Sequence, residues 1–308
     1  MLTHRQYAPQ ARPLDLLPGA VAAYGLRRLQ VDYGGPAVRV RRSSDNAEQD
    51  IYLDHSGQLN VAALLGFCGA GSGFATTWYD QTGNGRHARQ STSASQPTLV
   101  SSGALVTAPN GLPALGFSTD DFLVEANYAW HTLPAVTLVV AHTPQISSGA
   151  DTSYGCLMSV CKAADGSNSF FLGGASGTIS GESFTLGINT TGGSVTTRVG
   201  PSAANYVFTS GTAQVDAVQV GTSGSKLWKN EAAVTLDLAN AGSSTAANYA
   251  PGQGGMNATH DLHIGVFRNT TDFFFLSSRL SEWICYPTYL GTSLLGLAVT
   301  NLRGAIRT

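Results

Sequence analysis

Two stretches decide how this chain is read: GPAVRVRRSSDNAEQDI at Gly35–Ile51 and TTWYDQTGNGRHA at Thr76–Ala88. Each is a run of β-branched or aromatic residues that passes into a polar turn, the pattern of a strand leaving a sheet. In the first, Arg39 and Arg41 stand among Asp45, Glu48 and Asp50, so the charges can neutralise one another while Asn46 closes the turn. In the second, Asp80, Asn84 and two glycines build a tight loop after Trp78 and Tyr79. Internal satisfaction of these polar groups is the simplest account of both.

Strand signals continue outward from these stretches at Leu112–Phe117, Val136–Ala141, Phe184–Ile188, Val215–Val220, Lys226–Trp228, Leu262–Phe267 and Leu280–Tyr286. With Val38–Arg41 and Ala75–Tyr79 they are rich in β-branched and aromatic residues and bounded by Gly, Asn, Asp, Ser or Pro. The spacing predicts an all-β sandwich. Apolar residues three and four apart predict short peripheral helices over Val21–Leu29, Asn60–Cys68 and Ser293–Leu302. Gly221–Lys226 has a phosphate-loop flavour but lacks the full motif and lies between two strands, so it reads as a hairpin turn.

The 308 residues suit one main domain, and 43% hydrophobic content is enough for a sizeable core. Only 12% of residues are charged, against about 25% in an ordinary domain. Their place is taken by 36 Gly and 60 Ser plus Thr. A formal net charge of −2 argues against general binding to nucleic acid, which needs many Lys and Arg to neutralise phosphates. The longest apolar run, Leu133 to Ala141, is too short to cross a bilayer. The first residues show no apolar core followed by a small-residue cleavage site, so no secretory signal is expected. Residues 1–18, with three prolines, read as an N-terminal arm that docks on a neighbour, and residues 19–308 as the sandwich. Ala239–Gly255 reads as a long small-residue loop.

Four cysteines form no CxxC pair; Cys156 and Cys161, five apart, would point to opposite faces of one strand. They read as buried free thiols. His260 and His263 likewise fall on opposite faces and cannot share a metal, and no metal or cofactor is expected. No GxSxG elbow occurs. Glycoside hydrolysis needs two carboxyl groups, for which the candidates are Asp120, Asp121, Glu182, Asp216, Asp261, Asp272 and Glu282. Asp120 and Asp121 follow Ser118 and Thr119 and read as turn chemistry.

Together with the helix between them, the two opening stretches resemble the N-terminal part of the catalytic domain of family 54 α-L-arabinofuranosidases, where an "RxSD…DI, helix, YDQSGxGxD" pattern occurs. The likeness is close over about residues 20–100. It implies a jelly-roll, concanavalin A-like or laminin-G-like sandwich. It also implies where the family's reaction would sit. The family's nucleophilic Glu corresponds to Asn189 here, and no Asp or Glu occurs from Ser183 to Val215. The family's acid corresponds to Arg268, whose pKa above about 12 bars it from donating a proton. The family's vicinal cysteine pair and carbohydrate-binding module have no counterpart. A fold kept and a reaction lost is the expectation.

The Arg–Ser–Ser–Asp–Asn and Trp–Tyr–Asp–Gln forms of the motifs also resemble a type found in bacteriophage tail and other virion proteins. That resemblance implies a non-catalytic virion component, made in the host cytoplasm, whose partners are other virion proteins, copies of itself in a homo-oligomer, and host-surface polysaccharide. Sugars are bound by aromatic faces and amide or carboxylate groups. The glycan-binding candidates are therefore Asp120, Asp121, Asn127, Tyr128 and Trp130, with Asn189 and Arg268. The alternatives are a glycoside hydrolase of α-L-arabinofuranosidase type, with Glu182, Asp216 or Asp272 moved into the catalytic roles, and a purely structural particle protein.

Overall fold

The computed structural model describes residues 12–118, 120–126, 128–145, 156–162, 170–174, 184–189, 195–201, 210–221, 224–230, 232–234, 236–237, 260–268, 273–275 and 277–303. The chain enters through a helical turn, α1 (Pro13–Leu16), and then β1 (Ala22–Gly25), β2 (Pro36–Arg42) and β3 (Glu48–Tyr52). Helix α2 (Val61–Cys68) leads to β4 (Gly73–Trp78), β5 (Ala88–Arg89), β6 (Thr98–Ser101), β7 (Ala104–Leu105), β8 (Leu115–Phe117) and β9 (Leu123–Glu125). The longer strands follow: β10 (Ala135–Pro144), β11 (Met158–Lys162), β12 (Phe170–Gly174), β13 (Phe184–Asn189), β14 (Val195–Pro201) and β15 (Gln214–Gly221). The chain closes with β16 (Gly224–Lys229), β17 (Ala232–Val234), β18 (Leu236–Asp237), β19 (His260–Ile264), β20 (Val266–Arg268), β21 (Phe273–Phe275), β22 (Ser278–Tyr286) and α3 (Thr292–Arg303).

These strands make the expected all-β sandwich. The front layer pairs antiparallel in the order β3–β2–β4–β5–β9–β19–β11–β12–β13–β14. The back layer runs β17–β16–β15–β10–β22–β1. Strand β6 bonds to β4 and β8, and β8 to β22, so hydrogen bonding passes from one layer to the other.

Alternation explains which side chains meet. On β2, Val38 and Val40 turn inward and join Leu123, Leu262, Ile264 and Val160 of the front layer and Val136, Leu138, Val140 and Val218 of the back layer in one core. Strand β10 is buried along its whole length because its other face is covered too. There Val139 and Ala141 meet Leu295, Val299 and Leu302 of α3, and Leu14 and Leu17.

Two expected elements change. Val21–Leu29 is not a helix: Ala22–Gly25 is a strand paired with Cys285–Glu282. Its apolar spacing suits a helix, but the open edge of β22 offers backbone partners that local propensity cannot outweigh. The described end of the N-terminal arm packs on its own chain, with Leu14 and Leu17 buried in the apolar layer beneath α3. The other two helices form, with the Asn60 side chain accepting from Ala63 N at the start of α2. The strand expected over Leu262–Phe267 breaks at Gly265, whose φ of +94° only glycine adopts readily.

Candidate active-site face

The two opening motifs form scaffold. Asp80 accepts hydrogen bonds from Ala23 N (3.0 Å), Thr82 N (3.0 Å) and Arg86 N (3.2 Å). Gln81 accepts from Leu29 N at 2.9 Å and donates to the Gly25 and Arg27 carbonyls. Asn84 and Arg86 both donate to the Val21 carbonyl. This loop therefore lashes residues 21–29 to the sandwich, which is why it needs Asp, Gln and Asn at fixed offsets. In the other motif, Arg39 forms a two-pronged pair with Asp50 (2.8 Å each), Arg42 pairs with Asp45, and Arg41 donates to Asn46 and Gln96. Asn46 takes φ +61° to close the turn.

In the loop expected to bind glycan around Asp120–Trp130, the described aromatic side chains Tyr128 and Trp130 are engaged by other residues of the chain. Trp130 is fully buried and its Nε1–H donates to Glu125 Oε2 at 2.6 Å. The Arg86 guanidinium lies 3.7 Å from the centroid of the Tyr128 ring, and Trp130 meets that ring edge-on at 5.1 Å. Asp121 is buried and accepts from Ser118 N and Oγ, the turn chemistry its position suggests, while Asp120 is exposed. Asn127, Glu182, Asp272 and the loop Ala239–Gly255 lie outside the described residues. Asn189 ends β13 and Arg268 ends β20.

The outer face of the front layer is the candidate site. One cross-strand row links Asp50, Arg39, Thr77, Arg89, Val124, His263 and Ser159. On β19, Leu262 and Ile264 enter the core, so Asp261 and His263 point outward. His263 Nδ1 lies 3.3 Å from Cys161 Sγ and its ring packs on Phe122, with centroids 6.1 Å apart. Asp261 is partly exposed, and burial, followed by the nearby Glu125 charge, pushes its carboxyl above the ordinary range. Such a carboxyl holds its proton at higher pH than a free aspartate and can deliver it to a leaving oxygen.

Two other sequence candidates are committed elsewhere. Asp216 points into the sandwich, where its Oδ2 meets His142 Nε2 and Gln214 Nε2, both at 2.7 Å. His142 Nδ1 is also 3.2 Å from Ser278 Oγ, giving the connectivity of a Ser–His–Asp triad. The Ser278 hydroxyl donates to the Thr143 carbonyl, and all three residues are about 1% exposed, so no substrate reaches them. Glu282 pairs with Arg27, and burial raises its carboxyl although Arg27 pulls it down. The Ser278–His142–Asp216 contact was invisible in sequence because three distant strands create it.

Set beside known proteins, the chain shares its fold with solved structures of arabinofuranosidases. The crystal structure of an arabinofuranosidase complexed with arabinofuranosyl-α-1,2-xylobiose superposes with a TM-score of 0.63 at 17% identity, covering 96% of this chain and 65% of that one. A family 54 α-L-arabinofuranosidase soaked with a cyclic sulfate inhibitor gives a TM-score of 0.62 at 16% identity, with the same coverage. The chain thus spans about 65% of the length of these enzymes. The more particular match is to the family model "Alpha-L-arabinofuranosidase B, catalytic", over residues 17–111. No curated protein matches the chain. These findings overturn the expectation of a non-catalytic bacteriophage virion protein that binds a receptor. That expectation rested on the absence of a carboxylate at Asn189 and Arg268, and the alternative it kept, a glycoside hydrolase, is the one these likenesses favour.

Proposed function

We propose that this chain is a glycoside hydrolase of the α-L-arabinofuranosidase type in which Asp261 protonates the leaving oxygen. What supports this reading is the likeness of residues 17–111 to the arabinofuranosidase catalytic family model, together with the place of Asp261 on the outer face of the front layer, where β19 turns Leu262 and Ile264 into the core. A glycosidase needs one carboxyl group that arrives protonated and a second that arrives ionised as nucleophile or base. Asp261 answers the first requirement, because partial burial and the Glu125 charge oppose its ionisation. With Asp216 tied to His142 inside the sandwich, the second role falls to Glu182 or Asp272.

The test is release of arabinose from an aryl α-L-arabinofuranoside. Asp261→Asn should lower kcat by about 10²–10⁴-fold, the usual contribution of acid catalysis, while the variant keeps its fold by circular dichroism. The wild-type rate should fall as rising pH takes Asp261 through its raised pKa. Glu182→Gln and Asp272→Asn identify the second carboxyl. Wild-type rates in Asp261→Asn would refute the assignment, and an inactive wild type would refute the reading itself.

A further inference from the structure

The outer face of the front layer carries a second feature, far from Asp261 along the same row. Tyr33, Tyr52 and Tyr79 gather around the Arg39–Asp50 pair: Tyr79 bonds Asp50, Tyr52 follows Asp50 by two positions on the same face of β3, and Tyr33 bonds the carbonyl of Pro36, whose register partner is Tyr52. His87 meets the Tyr79 ring edge-on, with centroids 4.9 Å apart. Tyr52 is 50% exposed on the outward side of the edge strand β3, and Arg89 is exposed on β5. No other aromatic residue among the described residues has that exposure.

The polar groups here are already ordered. Tyr79 Oη donates to Asp50 Oδ1 at 2.7 Å, Tyr33 Oη donates to the Pro36 carbonyl at 2.7 Å, and Arg39 holds both oxygens of Asp50. The charges of Arg39 and Arg42 are matched by Asp50 and Asp45. What remains for a ligand is aromatic surface with pre-oriented hydrogen-bond groups and little net charge. That combination suits a neutral polyhydroxylated chain, whose rings offer apolar faces and hydroxyl edges, better than a phosphate-bearing or acidic partner. Four strand spacings of about 4.8 Å separate Arg39 from His263, roughly 19 Å along a continuous sheet.

We propose that the Tyr33–Tyr52–Tyr79 cluster, with Arg39 and Arg89, binds the body of a neutral glycan chain whose reacting end lies at Asp261. This rests on the glycosidase reading for the identity of the glycan. The test is native affinity electrophoresis of the full chain in gels containing soluble arabinoxylan, alongside turnover of an aryl α-L-arabinofuranoside. The wild type should be retarded by the polymer, and Tyr52→Ala and Arg89→Ala should each weaken retardation about three- to tenfold, a ring or cation contact's worth. Tyr52→Phe should restore it. Aryl-arabinofuranoside turnover should stay at the wild-type level in both Tyr52 variants, because that small substrate does not reach the edge strand β3.

A wild type that turns over the small substrate but is not retarded would overturn this proposal alone. Retardation lost in the variants, together with an inactive wild type, would uphold the glycan surface and sink the hydrolase reading. Retardation unchanged in both alanine variants would place any glycan contact elsewhere and overturn the proposal. Self-association in the absence of polymer, lost with Tyr52→Ala, would assign the cluster to a protein contact and overturn it as well.

Discussion

Asp50 shows how one residue serves two ends at once. Arg39 bonds both of its oxygens and Tyr79 bonds one, and these contacts, Arg39 first, hold the carboxyl below its ordinary range. Burial, with the bond to Asp50 second, pushes the Tyr79 phenol in the opposite direction, to about 12. A depressed folded pKa contributes stability that is full above the unfolded value of about 3.9 and is lost as the pH falls through the lower folded value. The Arg39 side chain is 43% exposed, so the pair is worth no more than about 1 kcal/mol. Urea midpoints measured from pH 6 down to pH 2 should therefore fall more steeply for the wild type than for Asp50→Asn. Parallel curves would show that the pair adds nothing to acid stability. Asp80, by contrast, is bound to backbone: its ties to Ala23, Thr82 and Arg86 make it a structural acid despite its place in the most specific motif.

Between β19 and β20 a single glycine decides where the strand leaves the front layer. Gly265 has φ +94°, and a Cβ added there would lie 2.5 Å from Phe117 Cδ1 and 3.0 Å from the Asp121 carbonyl oxygen. Its own N–H donates to the Cys156 carbonyl at 3.0 Å, so the turn has no freedom to move away. Gly265→Ala should cost at least about 2 kcal/mol, since backbone strain and overpacking add at one site. Guanidinium unfolding measures that cost, and a change under about 0.5 kcal/mol would mean that the Phe117 ring swings aside. If Asp261 serves as the proposed acid, the same substitution should also lower turnover, because β19 carries its side chain. Helix α2 is the simpler case, begun by the Asn60 cap and ended at Gly69 with φ +59°.

The molecule as a whole is a sandwich with a second apolar layer beneath α3, and its thiols are sealed into it. Cys68, Cys156, Cys161 and Cys285 are all buried and outside any disulfide, and burial raises Cys68, Cys156 and Cys285 above their ordinary range. A thiol kept protonated and out of water reacts slowly. An aromatic disulfide reagent should find essentially no reactive thiol in the native protein and four after denaturation. Rapid native reaction of one or more would mean that the sheets part on that timescale.

The class of fold was legible in the sequence because alternation and turn residues act over a few positions, as in Val38–Arg41 and Ala75–Tyr79, and because Asp45, Asn46 and Asp80 satisfy their polar groups within or near their own loops. Even the outward direction of Asp261 and His263 follows from the period of two along HDLHI. Tertiary structure alone decided the rest. Ala22–Gly25 became a strand because β22 had unpaired backbone groups to offer, a partner some 260 positions away. Trp130 and Tyr128 carry the residue types of a sugar platform, yet Glu125 and Arg86 consume them. The raised carboxyl of Asp261 and the tyrosine cluster around Arg39 exist only where strands distant in sequence lie side by side, since desolvation and the fields of neighbouring charges depend on distances in space that no local pattern encodes.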